Sequence, residues 1–439
     1  MGIILLILAG VIEIGLAIYS IVTKSNQKRI RNWVRISSLV VFVVFVTIMK
    51  WSLRWEIPAA VLLIFGIIAI ISLLRNKEEK KYRPFGNILK AVGVWVLIAV
   101  ALLPAVVFPQ HKAVAVTGDL GVGTKTYTFT DKNRVESFTD SGEDRKVNIE
   151  FWYPQDGKKK YPLIVFSHGA FGIKASNTST FENLASNGYV VVSIDHPYHS
   201  LYTKGEGGKM TLADQAFMKE VEDVNNGVYD EETSFELGQK WLQLRTEDIN
   251  FVIDTIKQQA DDQASDKVYQ LIDTDKIGLI GHSLGGAAAA KLGRDRDDIA
   301  AVINLDADLL GEELGVKDGK PVINKEIYPV PLLSIYTDTM KNLMDSVKDP
   351  DIVLPQQYIS ETASDAYEVH IKGTNHLSLT DLPIVSPFLA DMINGTADKG
   401  DTASTADQYK VLKTMNELVL EFFDSYVKDE GSFEAAKTY

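Results

Sequence analysis

The 439-residue chain contains no cysteine, which excludes disulfide frameworks, thiolate nucleophiles and cysteine-based metal sites. Histidine is scarce, with seven residues at 111, 168, 196, 199, 282, 370 and 376, so any imidazole base comes from a short set. No His-Glu-x-x-His motif occurs, and Asp306-Ala307-Asp308 lacks the remaining spacing of a calcium loop. Neither a metal nor a cofactor is expected. Positive charge is sparse in most of the chain: residues 1–112 hold 14 Lys and Arg against 4 Asp and Glu, which leaves 31 against 54 for the rest. That acidic remainder repels a phosphate backbone, so nucleic acid is not an expected partner.

The first 112 residues instead hold the long apolar runs. Gly2–Val22, Ile36–Trp51, Ile57–Leu74 and Ile88–Phe108 are each long enough, or nearly so, to cross a bilayer core. No basic residue precedes the first run and no small-residue cleavage site follows it, so it reads as a retained helix rather than a leader. Lys24, Lys28, Arg29, Arg31 and Arg35 crowd the first loop, and Arg75, Lys77, Lys80, Lys81 and Arg83 the third. The second carries only Lys50, Arg54 and Glu56. Positive loops stay cytoplasmic, which puts everything after Phe108 on the far side: a multi-pass protein of the cell membrane, with the bilayer as partner and an extracytoplasmic catalytic domain. Glu13 inside the first run is either a functional intramembrane carboxyl or one that is protonated or snorkels near a helix end.

Beyond a linker near Pro109–Thr117 the pattern changes. Strand-like stretches at Thr126–Thr130 and Val147–Tyr153 precede four apolar runs of strand length, Leu163–Phe166, Val190–Ile194, Ile277–Ile280 and Ala301–Leu305. Helical segments at Phe181–Asn187, Gly238–Gln259 and Leu284–Leu292 lie between them, with later strands at Pro331–Tyr336 and Tyr367–Ile371 and a closing helix at Gln408–Val427. Continuous apolar strands alternating with helices indicate a mostly parallel sheet covered on both faces. Acidic, Gly-containing sequence at Ser200–Gln239 interrupts the rhythm and reads as an insertion, either a lid over the sheet's carboxyl edge or a solvated excursion. The domain plan is thus a transmembrane region, 1–110, and a catalytic domain, 111–439, inserted near 200–239.

Within that domain Gly281-His282-Ser283-Leu284-Gly285 joins an apolar strand to an Ala-rich helix. G-x-S-x-G alone is unspecific, but a sharp strand-to-helix turn holds its serine exposed at a helix N-terminus, the nucleophile elbow of the α/β-hydrolase fold. Chain order in that fold is nucleophile, acid, histidine, and His376 follows the last strand, whereas His370 lies within it and His282 reads as packing. The acid is Asp306 or Asp338, each after a strand, with Asp308 a further possibility. Two backbone N–H donors for an oxyanion are expected from Leu284 and from Ala170, in the loop Ser167-His168-Gly169-Ala170-Phe171-Gly172.

Several of these stretches together resemble the platelet-activating-factor acetylhydrolase family: Tyr161–Gly169, Asn183–Val190, Val192–His196, the elbow Gly281–Gly286, Leu305-Asp306-Ala307 and Lys372–His376. The matches run in order over most of residues 120–380. The resemblance implies a metal-independent Ser–His–Asp triad, Ser283, His376 and Asp306, that releases short acyl groups from lipid esters, and it favours Asp306 over Asp338. Leu284 stands where the family usually carries phenylalanine, the loop after Gly169 differs, and the related dienelactone hydrolases share the elbow style. The expected function is hydrolysis of a small-molecule or lipid ester. An envelope acyltransferase and a non-catalytic binding module are the competing readings.

Overall fold

The computed structural model describes residues 2–49, 51–75, 81–155, 159–262, 264–396 and 404–439. Lys50, Lys77 and Lys80, counted above as loop charges, lie outside them. The chain divides into two units, Met1–Lys112 with Val385–Leu389, and Ala113–Ile384 with Ala390–Tyr439.

The first unit consists mainly of helices α1 (Gly2–Val22), α2 (Lys28–Met49), α3 (Glu56–Leu74) and α4 (Pro84–Val107). With the turn Leu53–Trp55 leading into α3, all four are long and apolar enough to cross a membrane. Helix α2 starts eight residues before the apolar run does. Its basic first turns are helical and reach back to α1: Arg35 pairs with Glu13 at 2.5 Å, and Arg31 donates to Ser20 Oγ at 3.2 Å. Glu13 is therefore a buried, ion-paired carboxylate.

The second unit is built on eight strands: β1 (Val122–Val135), β2 (Asp144–Pro154), β3 (Tyr161–Ser167), β4 (Val190–Asp195), β5 (Ile272–His282), β6 (Ile299–Leu305), β7 (Leu332–Tyr336) and β8 (Ala366–His370). Their order across the sheet is β1-β2-β4-β3-β5-β6-β7-β8. The pairs β1–β2 and β2–β4 are antiparallel, and the remaining pairs are parallel. Helices of this unit used below are α5 (Thr178–Ser186), α6 (Gln215–Asn225), α7 (Glu231–Asp261), α8 (Leu284–Asp295), α9 (Asp338–Ser346), α10 (Pro355–Thr362) and α11 (Gln408–Tyr426).

Strand β3 is buried throughout because both sheet faces are covered. Leu163 and Val165 point to a core shared with Leu242, Ile249 and Val252 of α7 and Ala287 to Ala290 of α8. On the opposite face Phe166 meets Phe181 of α5, and α5 packs on α11. Each fully buried Leu, Ile or Phe stabilises the fold by roughly 1.5–3 kcal/mol. This is an α/β-hydrolase fold.

The 200–239 segment, read from the sequence as an insertion, contains regular elements. It contains a two-stranded hairpin, Tyr202–Lys204 with Met210–Leu212, then α6, and α7 starts at Glu231 rather than near Gly238. Two aspartates set these helix starts. The Asp214 carboxylate accepts from Phe217 N, and that of Asp230 from Thr233 N, both at 2.9 Å. On the inner side Phe217 packs with Trp241 and Leu284.

Candidate active site

Parallel register brings the strand ends into one row. Ser167 of β3 pairs with Gly281 of β5, His282 of β5 with Leu305 of β6, and Leu305 with Ile335 of β7. The residues that follow these ends, His168 to Ala170, Ser283, Asp306 and Thr337, therefore emerge side by side at the carboxyl edge.

Ser283 sits at φ 53°, ψ −130°, between β5 and α8, a conformation L-residues rarely adopt. Three hydrogen bonds hold it there: Ser283 N to Leu305 O at 2.9 Å, and Gly286 N and Ala287 N to Ser283 O at 2.7 and 3.1 Å. Such an elbow admits no side chain at its flanks. A Cβ on Gly281 would lie 2.2 Å from the Gly285 main chain, and one on Gly285 2.0 Å from Ser167 O. The serine itself is only partly buried.

Asp306, also at positive φ (54°), is fully buried. Its Oδ1 accepts from Thr337 N at 2.7 Å, and its Oδ2 from Thr337 Oγ1 at 2.8 Å and His376 Nδ1 at 2.7 Å. With the Nδ1 proton committed to the carboxylate, neutral His376 leaves Nε2 unprotonated, and its side chain reaches solvent. Asp338 is engaged elsewhere, accepting from His370 Nε2 at 2.7 Å and from Gly373 N at 2.9 Å. His282, expected only to pack, donates from Nε2 to the His376 carbonyl at 2.9 Å, and the two rings lie 4.6 Å apart. It thus fixes the histidine loop beside the residue that precedes Ser283.

Leu284 N opens α8, where no intrahelical carbonyl is available to it. Among the described residues no hydrogen bond takes up the N–H of Leu284 or of Ala170. Gly169, just before Ala170, approaches closely enough that an added Cβ would lie 3.0 Å from Ser283 Cβ. The loop carrying Ala170 is clamped from α7: Arg245, wholly buried, donates to His168 O at 2.6 Å and Gly169 O at 3.2 Å. Burial pulls that guanidinium down to about 9.

One helical turn on, Asp248 accepts two bonds from Arg145, each at 2.7 Å, one from Arg134 at 2.9 Å and one from His196 Nδ1 at 3.0 Å. Burial alone would raise this carboxyl, but the charge and hydrogen bonds of Arg145 and the hydrogen bond from His196 hold it far below the usual range. His196 Nε2 in turn accepts from Ser167 Oγ at 3.0 Å. Ser167, His196 and Asp248 thus repeat a serine–histidine–aspartate chain at the floor of the loop. All three are sealed from solvent, so this chain supports structure and reaches no substrate.

A family model described as platelet-activating factor acetylhydrolase, isoform II, matches residues 132–437. The chain belongs to that family. Relatives include the platelet-activating factor acetylhydrolase of Bos taurus, 26% identical over 190 residues, which are 39% of this chain and 42% of that protein. The Cavia porcellus protein of the same name is 22% identical over 308 residues, 66% of this chain and 63% of its own length. The chain therefore spans between about two-fifths and two-thirds of these two relatives. A solved ferulic acid esterase from Streptomyces cinnamoneus superposes with a TM-score of 0.54 at 19% identity, over 74% of this chain and 95% of that one, and shares its fold.

In this family member the sequence pattern did not single out the Arg145–Asp248–His196 network or Arg245. Buried charges on α7 carry no local motif; the one signal was that Arg245 and Asp248, three apart, interrupt an otherwise apolar helix face. The network has a pH consequence. Burial holds His168 and His199 well below the usual imidazole range, and His196 and His282 at about 3. A base whose folded pKa is lowered contributes its full share of stability above the unfolded value, about 6.5. That share is lost as pH falls below 6.5 and the unfolded chain takes up protons the folded one refuses, at about 1.4 kcal/mol per histidine per pH unit. The second unit is expected to lose near-UV circular dichroism between about pH 6 and 4, more steeply than one proton allows. A stability flat over that range would contradict neutral burial.

Proposed function

We propose that this chain is a membrane-anchored carboxylic ester hydrolase acting through Ser283, His376 and Asp306. The observation that carries the reading is the Asp306–His376 bond at 2.7 Å, held by His282 beside the strained Ser283 turn. Family membership and the esterase neighbour's fold support the same activity.

In this mechanism His376 Nε2 removes the Ser283 proton, and Oγ attacks the ester carbonyl. Asp306 keeps the imidazole in the correct tautomer and stabilises the imidazolium that forms. The N–H groups of Leu284 and Ala170 bind the oxyanion, and the positive end of α8 adds to the field there. The imidazolium then protonates the leaving alcohol, and water, activated by the same histidine, cleaves the acyl-enzyme.

The four apolar helices span the cell membrane in this reading, with basic loops cytoplasmic and the catalytic unit outside, which favours lipid or lipid-like esters. Phe171, Phe217 and Trp241 pack with Leu284, the residue after Ser283, and offer an apolar wall to an acyl chain. The full chain in detergent, given p-nitrophenyl esters of increasing length, is expected to be fastest on acetate to butyrate and at least about tenfold slower in kcat/KM beyond octanoate. An optimum at long chains would remove the short-acyl assignment.

A further inference from the structure

The hairpin of the 200–239 insertion is turned inside out. Tyr202 pairs with Leu212, Thr203 with Thr211 and Lys204 with Met210. Side chains alternate across a strand pair, so the two threonines share one face and the other four residues share the opposite one. Thr203 is buried, whereas Tyr202, Met210 and Leu212 are 41%, 60% and 63% exposed. A hairpin in water usually does the reverse, packing its apolar face on the protein and leaving threonine outside. Main-chain bonds hold it this way round: Leu201 N donates to Gly172 O at 3.1 Å, Ala213 N to Leu201 O at 3.1 Å and Asp214 N to Tyr198 O at 2.9 Å. With Phe171 N donating to His199 O at 3.0 Å, the base of the hairpin is tied to the loop that carries Ala170.

The charges around this face narrow what can cover it. Lys204 lies on it and Lys209 adjoins it at the turn, both exposed. Among the described residues neither lysine forms an ion pair, although they stand in the acidic part of the chain. Apolar side chains beside a tyrosine and free lysines match a water–lipid boundary: the ring sits at headgroup level, and lysine stems lie along acyl chains while the ammonium groups reach phosphate. Three partly exposed side chains fall well short of the roughly 800 Å2 per partner that a stable protein interface buries. A bilayer needs no such area, because the chain brings its own. Helices α1 to α4 are long and apolar enough to cross a membrane, and residues 108–121, which join α4 to β1, span at most roughly 50 Å. At that range a weak contact is held at high effective concentration.

We propose that this hairpin face is a lipid-docking surface, with Tyr202, Met210 and Leu212 entering the boundary of the bilayer that the helices cross and Lys204 and Lys209 meeting lipid phosphates. The inference rests on the membrane-spanning reading of α1 to α4 and is independent of the triad. For the ester-hydrolase reading it has one consequence: the lipid surface is bound through the same main-chain bonds that tie the hairpin to the loop carrying Ala170.

The absence of cysteine makes the test clean, since Met210→Cys then carries a single nitrobenzoxadiazole label. The labelled full chain is reconstituted into vesicles of phosphatidylcholine with about a quarter phosphatidylglycerol. A phosphatidylcholine bearing a nitroxide near the top of its acyl chain is expected to quench the label about twofold or more. Tyr202→Asp with Leu212→Asp, both at exposed positions, should remove at least about half of that quenching at unchanged Tm. Lys204→Glu with Lys209→Glu should weaken it, and more so in the vesicles that contain phosphatidylglycerol. Quenching that is absent, or that persists undiminished in the double-aspartate variant, would overturn the docking face. So would a blue-shifted emission that the nitroxide leaves unquenched and that appears only at high protein-to-lipid ratio, because a second copy would then cover the hairpin. A chain that does not float with the vesicles overturns the membrane anchor and the docking face together. Ester turnover is read separately: quenching as expected with no ester turned over would keep the docking face and overturn the hydrolase.

Discussion

Ser283→Ala is expected to lower kcat/KM for a p-nitrophenyl ester by at least about 10^4-fold and to abolish labelling by a fluorophosphonate probe. In the proposed mechanism the loss is large because the serine, the imidazole and the carboxylate act as one device: without the hydroxyl no acyl-enzyme could form, and the remaining oxyanion donors would only assist water. For the same reason His376→Ala should cost a similar factor, and the double substitution hardly more than either alone. Asp306→Asn keeps the shape of its site but presents an amide to His376 Nδ1, which favours the tautomer with its proton on Nε2. A loss of about 10^4-fold in kcat is expected. Asp338→Asn should cost far less, since that carboxylate meets His370 and Gly373 rather than His376. A Ser283→Ala protein that keeps more than about one per cent of parental kcat/KM would remove the covalent mechanism.

The second large effect falls on stability. Asp248→Ala removes the carboxylate that two arginines share and leaves Arg145, 4% exposed at its side chain, with Glu136 alone at 3.0 Å. It also takes the acceptor from His196 Nδ1, and Ser167 loses a fixed partner at the start of the loop that carries Ala170. Removing one partner of a buried charge network typically costs about 3–5 kcal/mol, because the desolvated partner charges are left uncompensated. For a unit of this size the expected drop in Tm is about 5–10 °C, read by near-UV circular dichroism of the full chain in detergent. Arg145 also lowers the pKa of Arg245, so unshielded repulsion between the two should loosen the clamp on His168 and Gly169. Activity is then expected to fall at temperatures where the protein remains folded. An unchanged Tm in Asp248→Ala would mean that water or a rearranged carboxylate already serves the arginines.

The elements that were legible in the sequence are those whose determinants are local. The four apolar runs became helices α1 to α4, with α2 longer than its apolar core because hydropathy cannot register that Arg31 and Arg35 find Ser20 and Glu13 on another helix. The start of α7 was missed by seven residues for the opposite reason. Acidic sequence looked like loop, whereas Asp230 caps a helix whose first turn carries Glu231 and Glu232 at its positive end.

Strand runs, the G-x-S-x-G turn and the place of His376 after the last strand could be read from the chain by itself, since apolar period, glycine spacing and element order are written residue by residue. Which carboxylate meets His376 could not. Asp306, Asp308 and Asp338 all follow strands, and only the pairing of β5, β6 and β7, with Thr337 gripping Asp306, turns one toward the imidazole, another toward Gln356 and the third toward His370. The Asp248 network is likewise a product of tertiary structure. Charges find their partners through space, across 70 residues for His376 and Asp306 and 103 for Arg145 and Asp248, and burial alone decides whether such a meeting becomes chemistry or scaffold.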